Sequence, residues 1–418
     1  MAAVDAANLA LEGGQPNVVT LAGLLAPGGF VDGTGRPDVV ALREVLAPRI
    51  ERVDALHRVP ARLDGVWRWR TAVPDLSHHL RVIEADIDLE HTCSRVVMTP
   101  LDPARPLWEL LLVPRVAEGR CGMLFRLHHA VADGLGAEAL VAALSDAAPV
   151  DDAPAGAAHG RADEPPPAAR RPLLRRWGDL AVQTAAVFRR SVHSRALLGP
   201  LGTTRDVALL DVDLARLHDG AHLLGGTIGD AFLAAFGQGL RAMLAAAGEE
   251  PPAAVPVSSP VRLARLAGEG NATGVMLTRI PVADLDVDRA VARVASLTRS
   301  EKARARAVGT FRPMSNPRAA RMLMHLARRQ RAVGAIASEL TGPERTLRLG
   351  GAELVAAWPL ALLSGNVRVG ALAVSYAGRF RVSIQTDGSH LPPARVLADG
   401  MARALGGIEE RARQRAPG

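Results

Sequence analysis

Apolar residues recur along the chain with two different periods, helical in some segments and alternating in others, which predicts mixed helices and strands. Residues 38–50 set Val39, Leu42, Val45, Leu46 and Ile50 at helical spacing. Residues 121–129 instead place Met123, Phe125, Leu127 and His129 on one face and Leu124, Arg126 and His128 on the other, as a strand does. From Asp133 the pattern turns helical again. Downstream, residues 207–212, 256–258 and 274–282 read as strands, and residues 227–247, 288–307 and 317–340 as helices. Residues 345–357 and 370–386 read as hairpins turning near Gly350-Gly351 and Ala377-Gly378. The class is therefore α/β or α+β, with no short repeat of the solenoid kind.

The period disappears in residues 149–172, a mixture of proline, alanine, glycine and charge that reads as a linker. It divides the chain into an N-terminal domain, 1–148, a connecting region, 149–200, and a C-terminal domain, 201–418. Within the connection, residues 173–198 carry Leu173, Leu174, Trp177, Leu180 and Phe188 among arginines, the pattern of a basic amphipathic helix. Docking of its apolar stripe on a domain is the favoured reading, because most amphipathic helices pack that way. The sharper alternative lays it on an anionic membrane or lipid droplet.

The 418 residues are 48% hydrophobic and 22% charged, enough for a large core and too apolar for a disordered chain. A net charge of +7 favours anionic partners, such as nucleic acid, a membrane surface or a phosphorylated substrate. Aromatic residues are only 3%, which leaves few stacking platforms, so nucleic acid is not expected. Two cysteines, Cys93 and Cys121, make no CxxC pair and point to a reduced compartment. The N-terminus shows no signal peptide and no apolar run is long enough to span a bilayer, so the expected location is cytoplasmic, peripheral to membrane or lipid droplet at most.

The stretch that carries chemistry is Arg126-Leu-His128-His129-Ala-Val-Ala-Asp133-Gly134. Adjacent histidines at a strand end point to opposite faces, so one can enter a cleft while the other turns into the protein. They are badly placed to share a metal, but a cleft-facing imidazole suits deprotonation of a hydroxyl near neutral pH. Asp133 can fix the loop, or act simply as an N-cap, and Gly134 permits a tight turn. The pairs His78-His79 and His91 with Cys93 lack metal-ligand spacing and read as surface residues.

This stretch resembles the HHxxxDG signature of the CoA-dependent acyltransferase superfamily. Pro106-Leu107-Trp108-Glu109 narrows the likeness to the bacterial wax ester synthase/diacylglycerol acyltransferase family. So do the opening Val4-Asp5-Ala6 with Glu12, the Val255 to Ser258 block followed by Gly270-Asn271, and Ser375-Tyr376-Ala-Gly378. The resemblance covers nearly the whole chain. It implies two chloramphenicol-acetyltransferase-like subdomains with mixed sheets flanked by helices and an active-site tunnel between them. It also implies an O-acyltransferase with no bound cofactor and with acyl-CoA as co-substrate, esterifying a lipophilic alcohol such as diacylglycerol or a fatty alcohol. By position His129 would be the general base, with His128 supporting it. Asp133 would be structural, paired with an arginine for which Arg262 is a candidate. Ser258, Asn271 and Thr341 are candidate donors to the oxyanion or contacts to substrate, with ordinary strand-end or turn hydrogen bonding the equal alternative, and Trp108 is a candidate for the tunnel wall, although a core anchor is the favoured reading of Trp108.

Two departures stand out. Where the family has an Asn-Asp pair at the start of the central C-terminal helix, this chain has Gly229-Asp230, and Asp230 also fits a capping box begun by Thr227. The family's Asn-Val-Pro-Gly-Pro block is reduced to Leu340-Thr341-Gly342-Pro343. These motivate two alternatives: a specialised-metabolism acyltransferase acting on a natural-product hydroxyl, with CoA or a carrier protein as donor, and a catalytically silent lipid-binding homologue.

Overall fold

The computed structural model describes residues 1, 3–10, 15–84, 88–117, 119–132, 134–146, 191–262, 273–283, 286–308 and 328–415. The first half comprises α1 (Ala3–Ala10), β1 (Val18–Leu25), α2 (Val39–Glu51), β2 (Arg58–Leu63), β3 (Val66–Thr71), α3 (Leu76–His79), β4 (Leu80–Val82), α4 (Leu89–Val96), β5 (Trp108–Ala117), β6 (Arg120–His128) and α5 (Gly134–Leu144). The second comprises β7 (Arg205–Asp213), α6 (Leu214–Leu223), α7 (Ile228–Ala246), β8 (Ala254–Arg262), β9 (Thr273–Pro281), α8 (Val287–Val308), β10 (Ala335–Thr341), β11 (Leu347–Leu349), β12 (Ala352–Pro359), β13 (Val369–Tyr376), β14 (Arg379–Asp387) and α9 (Ala394–Arg415).

Two six-stranded mixed sheets form the body, ordered β11-β12-β1-β6-β5-β4 and β7-β14-β13-β10-β8-β9. The expected class and the two sheet-and-helix halves are present. The sheets, however, do not divide where the linker divides the sequence. The hairpin β11–β12 belongs to the second half of the chain yet pairs antiparallel with β1, with Leu21 opposite Pro359 and Ala22 opposite Trp358.

Side chains from the second sheet lock that hairpin in place. The Tyr376 hydroxyl donates to the Leu354 carbonyl at 2.7 Å and accepts the Leu347 N–H at 2.8 Å. Arg381 donates to the Val355 carbonyl at 3.1 Å and lies 5.5 Å over the Trp358 ring, while the Trp358 indole donates to Leu210 at 2.9 Å. From the first half, Asp146 accepts the N–H groups of Gly350 and Gly351 at the turn, at 2.9 and 2.7 Å. Helix α4 completes the join, since Ser94 and Glu90 accept the Val207 and Leu209 N–H groups of edge strand β7 at 2.9 and 2.8 Å.

Strands β5 and β6 are buried on both faces, which explains their nearly continuous apolar runs. Glu109 and Arg126 interrupt those runs directly opposite one another. Their side chains pair at 2.8 Å in the interior, and Arg126 donates also to the Thr99 carbonyl. Burial without pairing would be costly for either charge.

Three expectations are corrected. Residues 335–340, the end of the helix expected over 317–340, belong to β10, residues 328–334 are not helical, and residues 317–327 lie outside the described residues. Ala, Glu and Leu in this stretch favour a helix, but parallel pairing to β13 on one side and β8 on the other overrides that preference. Residues 191–198, the end of the expected amphipathic helix, are not helical, and Ala196, Leu197 and Leu198 are buried in the second core. The linker and the rest of that segment lie outside the described residues. Finally, His79 is not at the surface: it is buried, stacks on Trp108 with ring centroids 4.6 Å apart, and its Nδ1–H donates to the Trp108 carbonyl at 2.7 Å. Burial lowers its pKa and keeps it neutral. Cys93 is likewise buried, whereas His91 is exposed and pairs with Asp88.

Replacing Glu109 by alanine strands the Arg126 charge and should destabilise the protein by about 3–5 kcal/mol. Urea unfolding of Glu109→Ala measures it. The double change Glu109→Met with Arg126→Met should recover a large part of the loss.

Candidate active site

The two motif histidines at the end of β6 differ in burial. His128 is 1% exposed. Its Nδ1 accepts the Ala130 N–H at 2.9 Å, which leaves the ring proton on Nε2 and ties the imidazole to the turn it begins. His129 stands just beyond the strand and is half-buried. Its backbone N–H donates to the Asn17 carbonyl at 2.9 Å, so the residue before β1 sets its position.

Asn8, on α1, supplies the contact to the His129 ring. Its amide nitrogen lies 3.4 Å from both Nδ1 and the carbonyl oxygen of His129. Asn17 holds Asn8 in turn, donating to its backbone and side-chain oxygens at 3.3 Å. The nitrogen faces Nδ1 and the His129 carbonyl while the oxygen accepts from Asn17, so in the neutral ring Nδ1 is the unprotonated, basic nitrogen. Both asparagines escape a sequence reading, because single polar residues in an N-terminal segment carry no spacing signal for a partner 121 or 112 positions away.

On the same strand, Val18 lies opposite His128 and Thr20 opposite Arg126. Val18 and Thr20 line a slot of about 10 Å³ at the join of the two halves, together with Arg205, Gln385 and the turn after β12. That is room for one water. The Thr20 hydroxyl is buried and makes no hydrogen bond among the described residues.

The other candidates are scattered. Trp108 is 1% exposed and its indole donates to the Leu56 carbonyl at 2.8 Å, which makes it a core anchor. Gly134 opens α5, whereas Asp133 and Asn271 lie outside the described residues, as does the side chain of Arg262. Ser258 and Thr341 sit in the second sheet, Ser258 half-buried on β8 and Thr341 exposed at the end of β10.

Asp230 is committed to structure. One oxygen accepts the Thr227 N–H and hydroxyl at 2.9 and 2.8 Å, and the other accepts the Thr298 hydroxyl at 2.5 Å. At the neighbouring position, a side chain on Gly229 would begin 2.5 Å from the Glu339 carboxylate of β10. An open cavity of about 380 Å³ lies beside it, lined by His218, His222, Gly226, Thr227 and Glu339.

Neither cysteine is poised to attack a thioester. Burial pushes the Cys121 thiol up to about 12 and raises Cys93 as well, so neither supplies a thiolate near neutral pH.

With this geometry in hand, two family profiles align with the chain. The wax ester synthase/diacylglycerol acyltransferase catalytic domain matches residues 1–187, and the WS/DGAT C-terminal domain matches residues 269–409. The chain belongs to the wax ester synthase/diacylglycerol acyltransferase family. It is an acyltransferase. A probable diacylglycerol O-acyltransferase of Mycobacterium tuberculosis is 27% identical over 371 residues, covering 81% of this chain and 77% of that protein.

The fold matches in the same direction. The wax ester synthase/diacylglycerol acyltransferase of Marinobacter aquaeolei superposes with a TM-score of 0.71 at 19% identity, covering 98% of each chain. Trichothecene 15-O-acetyltransferase TRI3 of Fusarium sporotrichioides superposes at 0.64 with 11% identity, covering 99% of this chain and 94% of that one. Among the described residues of this family member, no helix is long and apolar enough to cross a membrane.

Replacing Asn8 by aspartate places a carboxylate against the His129 ring. A neighbouring negative charge favours the imidazolium and raises its pKa. If His129 is the general base, active only when deprotonated, the acid limb of the kcat/KM profile should move up by about one pH unit. Asn8→Ala should lower activity without that displacement.

Proposed function

We propose that this acyltransferase moves an acyl group from acyl-CoA directly to the hydroxyl of a lipophilic alcohol, diacylglycerol or a long-chain fatty alcohol, with His129 as general base. The observation that carries the reading is the setting of His129. It is half-buried at a strand end, its backbone is held by Asn17, and its ring contacts Asn8 on the Nδ1 side.

In this reaction the imidazole removes the hydroxyl proton as the alcohol oxygen attacks the thioester carbonyl. A tetrahedral intermediate forms with negative charge on the former carbonyl oxygen. Its collapse breaks the carbon–sulfur bond, and the departing thiolate takes the proton from the imidazolium. Ester and free CoA leave, and His129 is neutral again. His128 and Asp133 act on the loop rather than on substrate. His128 is suited to this because its ring is already engaged by the Ala130 N–H.

Support for a lipophilic acceptor comes from the company the chain keeps, since the Mycobacterium tuberculosis relative is described as acting on diacylglycerol. The measurement is thiol release from acyl-CoA with and without diacylglycerol, hexadecanol or a short alcohol. Acceptor-dependent release should fall by roughly a hundredfold to ten-thousandfold in His129→Ala, the usual contribution of a positioned base. Full activity in that variant would remove His129 from the chemistry. Preference for a polar acceptor over both lipids would remove the lipophilic alcohol.

A further inference from the structure

Among the described residues, the large exposed apolar side chains are concentrated in one stretch of the first half. Of the seven large apolar side chains exposed among the described residues, six fall within residues 40–82: Val40, Val45, Leu63, Val66, Val73 and Val82. Hydrogen bonds link the elements that carry them. Arg43 reaches from α2 to the Leu80 carbonyl at the start of β4, at 2.6 Å. His57 Nε2 lies 3.0 Å from the Ile50 carbonyl near the end of α2, and the Ala72 N–H returns to the His57 carbonyl at the foot of the β2–β3 hairpin.

The hairpin itself stands apart from both main sheets, since β2 and β3 pair only with each other. Asp64 and Gly65 make its tight turn, with φ of +50° and +76°. Leu63 and Val66 lie opposite each other at the tip, 55% and 56% exposed. Behind them the strands carry Arg58, Arg62, Arg68 and Arg70 against the single carboxylate of Asp64, with Trp67 opposite Arg62 and Trp69 opposite Pro60.

Trp69 packs against the core of the first half, and the apolar tip, the basic body and Trp67 match the layers of an anionic lipid surface in order. Apolar side chains enter among the acyl chains, an indole ring settles at headgroup depth, and guanidinium groups pair with lipid phosphates. We propose that the β2–β3 hairpin docks this protein on an anionic lipid surface, with Leu63 and Val66 inserted and Arg62, Arg68 and Arg70 bound to phosphate. This deepens the reading of a lipophilic acceptor, because such an acceptor resides in that surface. Binding is measured without turnover, so the two readings fail separately.

The test is co-sedimentation of the full chain with vesicles of phosphatidylcholine alone or with added phosphatidylglycerol. The protein should pellet with the anionic vesicles and be released by salt. Arg62→Ser, Arg68→Ser and Arg70→Ser together should weaken binding at least roughly tenfold, each charge near the surface contributing to attraction. Leu63→Asp with Val66→Asp should abolish it, and Leu63→Trp should strengthen it. Circular dichroism and turnover of a water-soluble short alcohol should be unchanged in all three. Equal binding to neutral vesicles, or wild-type binding by both loss variants, would overturn the proposal. So would a dimer in vesicle-free solution that the tip substitutions dissolve, because the hairpin would then be a contact between copies. Hairpin-dependent retention on DNA with no vesicle binding would overturn it too.

Discussion

The antiparallel pairing of β12 with β1 is the constraint on which the rest of the structure depends. It takes a hairpin encoded after residue 340 and builds it into the sheet that carries the motif histidines. Strand β1 thereby lies between β12 and β6, and its approach residue Asn17 is fixed relative to His129. Cutting the chain at its linker would leave the first sheet without two of its six strands and would expose β1 as an edge. The two halves are one folding problem, closed by Tyr376, Arg381 and Trp358 from one side and Asp146 from the other.

The site follows from that closure. The position of His129 is set by groups far away in sequence. Asn17 holds the backbone of His129 and also holds Asn8, which contacts the ring. The buried pair of Glu109 and Arg126 stiffens the strand that ends in the two histidines. It also joins the Pro106 to Glu109 block to the histidine motif, so the two most informative stretches of the sequence are neighbours on paired strands.

Much of this could be read from the chain itself. Strand β6, helix α7 and both C-terminal hairpins lie within a few residues of where periodicity places them. Asp230 performs the capping that its spacing from Thr227 implies. What escaped was set by long-range contact. Residues 335–341 have helical composition and become a strand because two neighbours pair with them. His79 looks like one of several polar surface residues and is instead covered by Trp108. Asn8 and Asn17 give no local signal, since their meaning arises only when α1, β1 and β6 meet. The same holds for Thr20, whose hydroxyl, without a hydrogen bond among the described residues, is visible only once the join between halves is built.

Direct transfer is the centre of the functional account, and it agrees with two cysteines whose thiols burial keeps protonated. The most direct test is the intact mass of the protein after mixing with acyl-CoA in the absence of alcohol, with thiol release followed in the same sample. Direct transfer requires an unchanged mass and no stoichiometric burst of thiol until an acceptor is added. A protein heavier by one acyl group, formed together with an equivalent of free CoA, would contradict it and require an acyl-enzyme.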